Sequence, residues 1–261
     1  MSARIPLLAA NWKMNLNRRE AKNLVDELVL AVTPLKGREM VLAPSFHHLV
    51  EVGSLINGKH NLHLAGQNLY WKDSGAFTGE ISPLMLRDCG CTYVIIGHSE
   101  RRAYFHEHDA DCAKKVEAAL AHGLTPILCV GETLEQKEAG HTKDVVVRQL
   151  SGALKQIRID SGDRLVVAYE PVWAIGTGKN DTPPQANETM KVLRDELSQL
   201  FGEHIAQQIR LLYGGSVKPG NIDAFMAEPE IDGALVGGAS LQPADFARIV
   251  QFQESTVPSN K

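Results

Sequence analysis

Short apolar runs recur along the chain at 6–10, 40–43, 62–65, 93–96, 126–130, 165–169, 209–213 and 234–236. Each is rich in Val, Ile, Leu or Ala and lacks polar alternation, the pattern of parallel strands buried on both faces. Between them the spacing becomes helical. In 18–33, Ala21, Leu24, Val25, Leu28 and Val32 fall on one face. The stretches 109–122, 143–157, 185–201 and 243–252 follow the same rule, and shorter helices fit at 47–56, 83–88 and 219–227.

Strands alternating with helices imply βαβ units and a parallel sheet. Eight such units in 261 residues match an α/β fold of the closed (β/α)8 barrel type. The competing arrangement is an open doubly wound sheet, but no GxGxxG follows the first strand. No Pro/Ser-rich linker or composition shift divides the chain. The expectation is therefore one domain over 1–261, with a frayed polar tail at about 253–261.

A barrel of this kind carries its site at the carboxyl ends of its strands. Unusual polar residues fall there. Asn11 and Lys13 follow the first run, Gln67 and Asn68 the third, His98, Ser99 and Glu100 the fourth, and Glu132 the fifth. Glu170 ends the sixth, Gly214, Gly215 and Ser216 follow the seventh, and Gly237 and Gly238 follow the eighth.

Composition narrows the partners. The formal net charge is −4, so no broad basic surface is present and nucleic acid is not an expected partner. An anionic ligand would have to be drawn in by a local positive site. The N-terminal apolar run is too short for a signal-peptide core, and no stretch approaches the roughly 20 residues of a membrane span. Neither membrane attachment nor export is expected. The four cysteines form no CxxC pair, which suits reduced, mostly buried thiols in the cytoplasm.

The residue types at the strand ends suggest acid–base chemistry. A carboxylate at an apolar rim, Glu170, is partly desolvated, which would raise its pKa and suit it to act as a base. The following segment VWAIGTGKN has stiff ends and a small-residue centre, as a closing lid would. Its GTGK lacks the GxxxxGK[ST] spacing of an ATP-binding loop. His98 stands where a short helix should begin, with Ser99 and Glu100 as its caps, so the helix dipole would favour a neutral imidazole. Lys13 and Asn11 point the same way, and the lysine offers a fixed charge for an anion. The glycine pairs after the seventh and eighth runs, with Ser216, suit a phosphate. His106 and His108 resemble a metal pair, but no third ligand lies near, and the start of a helix explains them better.

Taken together, NWKMN, GQN, GAFTGE, GHSERR, CVGE, YEPVWAIGTGK, YGGSV and LVGGASL, in this order over 10–241, resemble the triosephosphate isomerase family. The resemblance implies a TIM barrel that interconverts dihydroxyacetone phosphate and D-glyceraldehyde 3-phosphate through an enediolate, in glycolysis and gluconeogenesis, with neither metal nor cofactor. It implies that Glu170 is the base and His98 the electrophile, and that Lys13 and Asn11 bind substrate and stabilise negative charge. Gly176, Ser216, Gly237 and Gly238 would hold the phosphate. Ser99 and Glu100 would support the site, Glu100 by pairing with Lys13, and Tyr213 would latch the lid. The loop QNLYWKDSGAFTGE, with Tyr70, Trp71 and Phe77, would dock into a second copy and carry Thr78 to its site, making a homodimer. An aldolase would need a Schiff-base lysine or a metal cluster instead, and a barrel without catalysis would lack Glu170, His98 or Lys13.

Overall fold

The computed structural model describes residues 4–175 and 181–253. Its eight strands are β1 (Leu7–Asn11), β2 (Glu39–Ala43), β3 (Leu62–Gly66), β4 (Tyr93–Ile96), β5 (Thr125–Val130), β6 (Val166–Tyr169), β7 (Arg210–Tyr213) and β8 (Gly233–Val236). All neighbours are parallel and the sheet closes on itself in chain order. The β1–β8 seam pairs Leu7 with Gly233 through Ala10 with Val236. The helices among the described residues are α1 (Arg18–Val32), α2 (Leu49–Ile56), α3 (Pro83–Asp88), α4 (Ser99–Tyr104), α5 (Asp109–Ala121), α6 (Leu134–Glu138), α7 (Thr142–Leu154), α8 (Pro183–Phe201), α9 (Glu203–Ala206), α10 (Ile222–Met226) and α11 (Pro243–Val250).

Both faces of each strand are buried, which explains the missing polar alternation. On β1, Leu7 and Ala9 belong to the barrel interior, while Leu8 and Ala10 pack in the layer shared with the helices. The interior side chains shrink toward the carboxyl ends: Leu7 gives way to Ala9, Val41 to Ala43, Ile127 to Cys129 and Val166 to Ala168. Large residues fill the floor and small ones leave room at the mouth. At the opposite pole Arg210 donates to Glu39 Oε2 at 2.6 Å and to the Tyr93 hydroxyl at 2.9 Å.

The helices begin where local chemistry allows. Asn17 and Glu20 form a reciprocal capping box on α1. Thr182 caps α8, whose first residue is Pro183, and Gly202 at φ +83° ends it. Several expected bounds move. The 47–56 stretch splits into a 3-10 turn, Phe46–His48, followed by α2. The 143–157 helix stops at Leu154, and α10 starts at Ile222 because Asn221 first ties down the Lys218 amide at 2.7 Å. The short helices α6 and α9 were not foreseen, being too brief to show a period. Cys91, Cys112 and Cys129 are buried free thiols, and burial raises Cys91 and Cys112 to about 12.

One buried ionic cluster holds the end of β4. Glu107, 6% exposed, accepts from Lys115 Nζ, from Arg101 Nε at 2.7 Å and from the Gly97 amide at 3.0 Å. Lys115 also donates to Asn68 Oδ1 at 2.8 Å. Burial opposes ionisation of Glu107, but Lys115 and Arg101 outweigh it and hold the carboxyl below its ordinary value.

Two stability predictions follow from this packing. The Cβ of Gly233→Ala would lie 1.9 Å from the Leu7 carbonyl oxygen, at a φ of +155° that L residues rarely adopt. The substitution opens the β1–β8 seam and should remove roughly 3 kcal/mol or more of unfolding free energy in urea titrations; wild-type stability would show that the seam does not close the barrel. For Glu107 the folded pKa lies below the unfolded one, so its contribution is fully present above the ordinary value of 4.5 and is lost as pH falls through the folded value. Glu107→Gln should cost about 3 kcal/mol or more at pH 7, because Lys115 stays buried without its partner. The gap to wild type should narrow below pH 4.5, and urea midpoints that run parallel from pH 4 to 8 would contradict this.

Candidate active site

Glu170 follows β6 directly and is 2% exposed. Its amide donates to Val130 O at 2.8 Å, extending the strand pairing by one residue. Its carboxylate is held at both oxygens. Oε2 accepts the Ser99 amide at 2.9 Å, and Oε1 lies 2.9 Å from His98 Nε2. His98 reaches this position through Gly97, which turns the chain at φ +72° where a Cβ would come within 2.8 Å of Cys112 Sγ.

The expected cap of α4 needs correction. Ser99 is the first helical residue rather than the cap, and its amide serves Glu170. His98 is the cap: its Nδ1 accepts the Glu100 amide at 3.2 Å. That bond requires a lone pair on Nδ1, so the hydrogen-bond network assigns the ring proton to Nε2, the atom facing Glu170. The donor on Nε2 is thereby turned into the barrel mouth, toward Glu170.

The pair tunes itself. Burial pushes the Glu170 pKa up, as its sequence position suggests, but His98, the Ser99 amide and Lys13 pull it down further, and the net direction is downward. The expected rise is therefore reversed. Burial likewise lowers the His98 pKa, and the Glu170 carboxylate raises it by more. Separating the two side chains would release both shifts and return each group toward what burial alone imposes.

Lys13 sits just beyond β1 with φ +53°, an uncommon conformation for a lysine. Neighbours fix it there. Its carbonyl accepts from Ser45 Oγ at 2.9 Å and Gln67 Nε2 at 2.8 Å, and its amide donates to Asn11 Oδ1 at 3.0 Å. Its Nζ bonds to Glu100 Oε1 at 2.7 Å. The side chain runs over Gly237, where a Cβ would meet Lys13 Cε at 3.3 Å.

These residues share one cavity of about 450 Å³. Asn11, Lys13, His98, Glu170, Ser216, Gly237 and Gly238 all line it. Lys218 and Gln242, which sequence reasoning did not single out, line it as well. So does Ile175, the last described residue before the central part of the expected lid. Gly176 and Lys179 lie outside the described residues. Trp173 Nε1 and the Tyr169 hydroxyl both donate to Glu132 Oε1, at 2.9 and 3.1 Å, which gives Glu132 a structural task at the start of that segment. Tyr213 is fully buried and stacks on Phe225 at 4.2 Å, and burial pushes its pKa up.

Other candidates fall away from the cavity. Thr78 is exposed on the loop after β3, where Tyr70 packs on Trp71 and Phe77 with ring centroids 4.1 and 4.6 Å apart. His106 and His108 are exposed ahead of α5, with His108 as its N-cap residue. Among the described residues no group of three or more His, Cys, Asp or Glu is placed to hold a metal ion, and no helix is long and apolar enough to cross a membrane.

Comparison with known proteins agrees with this geometry. The family model described as triosephosphate isomerase matches residues 6–253. A triosephosphate isomerase of Caldanaerobacter subterraneus is 53% identical over 249 residues, 95% of this chain and 100% of the relative. One from Chloroflexus aurantiacus is 52% identical over 250 residues, 96% of this chain and 100% of the relative. One from Roseiflexus is 53% identical, covering 95% and 98%. A closed eight-stranded parallel barrel, a mouth that gathers Glu170, His98, Lys13 and Asn11, and relatives matched over nearly their whole length lead to one conclusion: the chain belongs to the triosephosphate isomerase family.

Proposed function

We propose that Glu170, His98, Lys13 and Asn11 carry the reaction that family membership gives this enzyme, the interconversion of dihydroxyacetone phosphate and D-glyceraldehyde 3-phosphate. The observation that supports it most is the contact of a buried carboxylate with the His98 Nε2 donor, 2.9 Å apart, beside a lysine and above a small-residue interior.

A triose carbonyl entering this mouth replaces the His98–Glu170 bond. Glu170 removes the proton from the carbon next to the carbonyl, and the C–H electron pair forms the carbon–carbon double bond of the enediolate. The carbonyl oxygen gains the negative charge. His98 Nε2–H donates to that oxygen, and Lys13 and Asn11 stabilise the charge. His98 gives its Nε2 proton to that oxygen and takes one from the neighbouring hydroxyl, whose oxygen becomes the new carbonyl as the double bond collapses, and Glu170 returns the carbon-bound proton to the carbon that had carried the first carbonyl. The base and neutral-imidazole roles are those already established for this enzyme family. Leaving His98 also frees Glu170 from the partner that lowers its pKa, so burial can raise its basicity at the moment of transfer.

Ser216, Gly237 and Gly238 take the phosphate in the same cavity. The first amides of the 3-10 turn Gly238–Leu241 lack partners within that turn and suit an anion. Gly176 completes this grip by resemblance alone. Ser99 and Glu100 orient Glu170 and Lys13, and Tyr213 latches the segment after Ile175, whose closure keeps water from the enediolate. The reading treats 1–261 as one barrel domain acting in the cytoplasm, in glycolysis and gluconeogenesis, without nucleic-acid or membrane partners. The aromatic loop, with Phe77 exposed and Tyr70 and Trp71 half-buried, and a second cavity of about 310 Å³, lined by Met14, Phe46 and Phe105, support a homodimer in which one copy's loop, with Thr78, enters the other.

Two measurements check this reading. In a coupled assay with chelator present, wild type should turn over D-glyceraldehyde 3-phosphate, and Glu170→Asp should lose about 100-fold or more in kcat, because one methylene misplaces the base; equal activity would remove Glu170 from the base role. In sedimentation equilibrium the protein should have twice the mass of the chain and Phe77→Asp the mass of one chain. A single-chain mass for wild type at micromolar concentration would contradict the dimer.

A further inference from the structure

Helix α7 buries Val145, Val146, Gln149, Leu150, Ala153 and Leu154. Gln149 is the polar member of that face and is 7% exposed. Its carboxamide is spent entirely on one residue. The Gly131 amide donates to Gln149 Oε1 at 2.7 Å, and Gln149 Nε2 donates to Gly131 O at 3.1 Å. Both main-chain groups of Gly131 are thus held by one side chain, as a neighbouring strand would hold them.

Gly131 is the residue on which the base rests. A Cβ at this position would lie 1.7 Å from the Glu170 carbonyl oxygen, so only a glycine permits the contact. The residues on either side engage the same segment. Val130 O accepts the Glu170 amide at 2.8 Å and Glu132 O accepts the Val172 amide at 3.1 Å. Beside this contact the packing is open: a cavity of about 220 Å³ is lined by Gly97, Ser99, Gly131, Gln149 and Glu170. Side-chain packing is thus incomplete around the Gly131–Glu170 contact, and between the main-chain bonds of Val130 and Glu132 the two bonds from Gln149 hold Gly131 itself.

We propose that Gln149 is a positioning residue for the catalytic base, setting the place of the Glu170 backbone through its two bonds to Gly131. The inference rests on the assignment of Glu170 as the base. Loss of the clamp lets the 130–132 segment shift toward the cavity, and the carboxylate moves with it relative to His98 and the substrate carbon. Gln149 does not line the substrate cavity, so substrate binding changes little.

The test uses the full chain with Gln149→Met, which keeps the side-chain length and removes both bonds, and Gln149→Glu, which keeps the acceptor for the Gly131 amide and removes the donor to its carbonyl. Steady-state kinetics are run with substrate carrying hydrogen or deuterium at the transferred position, with Glu170→Asp in parallel. The expected result for Gln149→Met is a fall in kcat of about tenfold or more, a KM within about twofold of wild type and a larger deuterium isotope effect on kcat, because proton transfer has become harder. Gln149→Glu should move in the same direction. A lower kcat with an unchanged isotope effect means fewer active molecules rather than a displaced base, and overturns the proposal, as does wild-type kcat in both variants. Should Gln149→Met fail to fold, Gln149→Glu alone decides by the same isotope effect. If Glu170→Asp is impaired while both Gln149 variants behave as wild type, only the positioning role fails; if Glu170→Asp is unimpaired, the base assignment itself fails.

Discussion

Closure of the sheet is the constraint on which the site depends. When β8 pairs with β1, the strand ends that follow them become neighbours, and Lys13 comes to lie across Gly237 although the two are far apart in sequence. The adjacency of β4, β5 and β6 does the same for His98, Gly131 and Glu170. No single strand–helix unit contains a base, an electrophile and an anion site. Closure brings them around one mouth, and the taper from large to small interior residues leaves that mouth open.

The second theme is the placing of charge where water is scarce. A net charge of −4 gives a triose phosphate no general attraction, so the proposed binding relies on Lys13 and oriented amides. Glu170 stays ionised at 2% exposure because the His98 donor, the Ser99 amide and Lys13 outweigh the penalty of burial. In the proposed mechanism those partners make Glu170 a stable but weak base, and substrate, by taking His98 for itself, would remove the largest of these favourable interactions and leave a stronger one. Behind the mouth, Glu107 gives the same treatment to the Gly97 amide: a buried carboxylate, kept charged by Lys115 and Arg101, anchors the turn that delivers His98.

Much of this was legible in the chain. Unalternating apolar runs mark strands buried twice over, and their polar successors mark the mouth, so Asn11, Lys13, His98, Glu170, Ser216, Gly237 and Gly238 were found together by position. What could not be read was direction and partnership. Whether the pKa of Glu170 rises or falls depends on contacts with His98 and Ser99, which come from another strand. That His98 caps its own helix, leaving Ser99 free for Glu170, follows from a backbone geometry without a local sequence mark. Gln149 did leave a signal, a polar residue on an apolar helical face, but its meaning required knowing that Gly131 lies beneath it. Gly176 and the rest of 176–180 lie outside the described residues, and their role is carried by resemblance.

The central claim is that a side-chain carboxylate takes a carbon-bound proton and gives one back. The most direct measurement is proton NMR of the product formed from D-glyceraldehyde 3-phosphate in deuterium oxide. A proton resting on Glu170 can exchange with solvent, so the account predicts deuterium at a single position of carbon 1 of the dihydroxyacetone phosphate formed, and loss of its catalysed incorporation in Glu170→Gln. Product that carries no deuterium from its first appearance would point to direct hydride transfer between the carbons and would contradict the account.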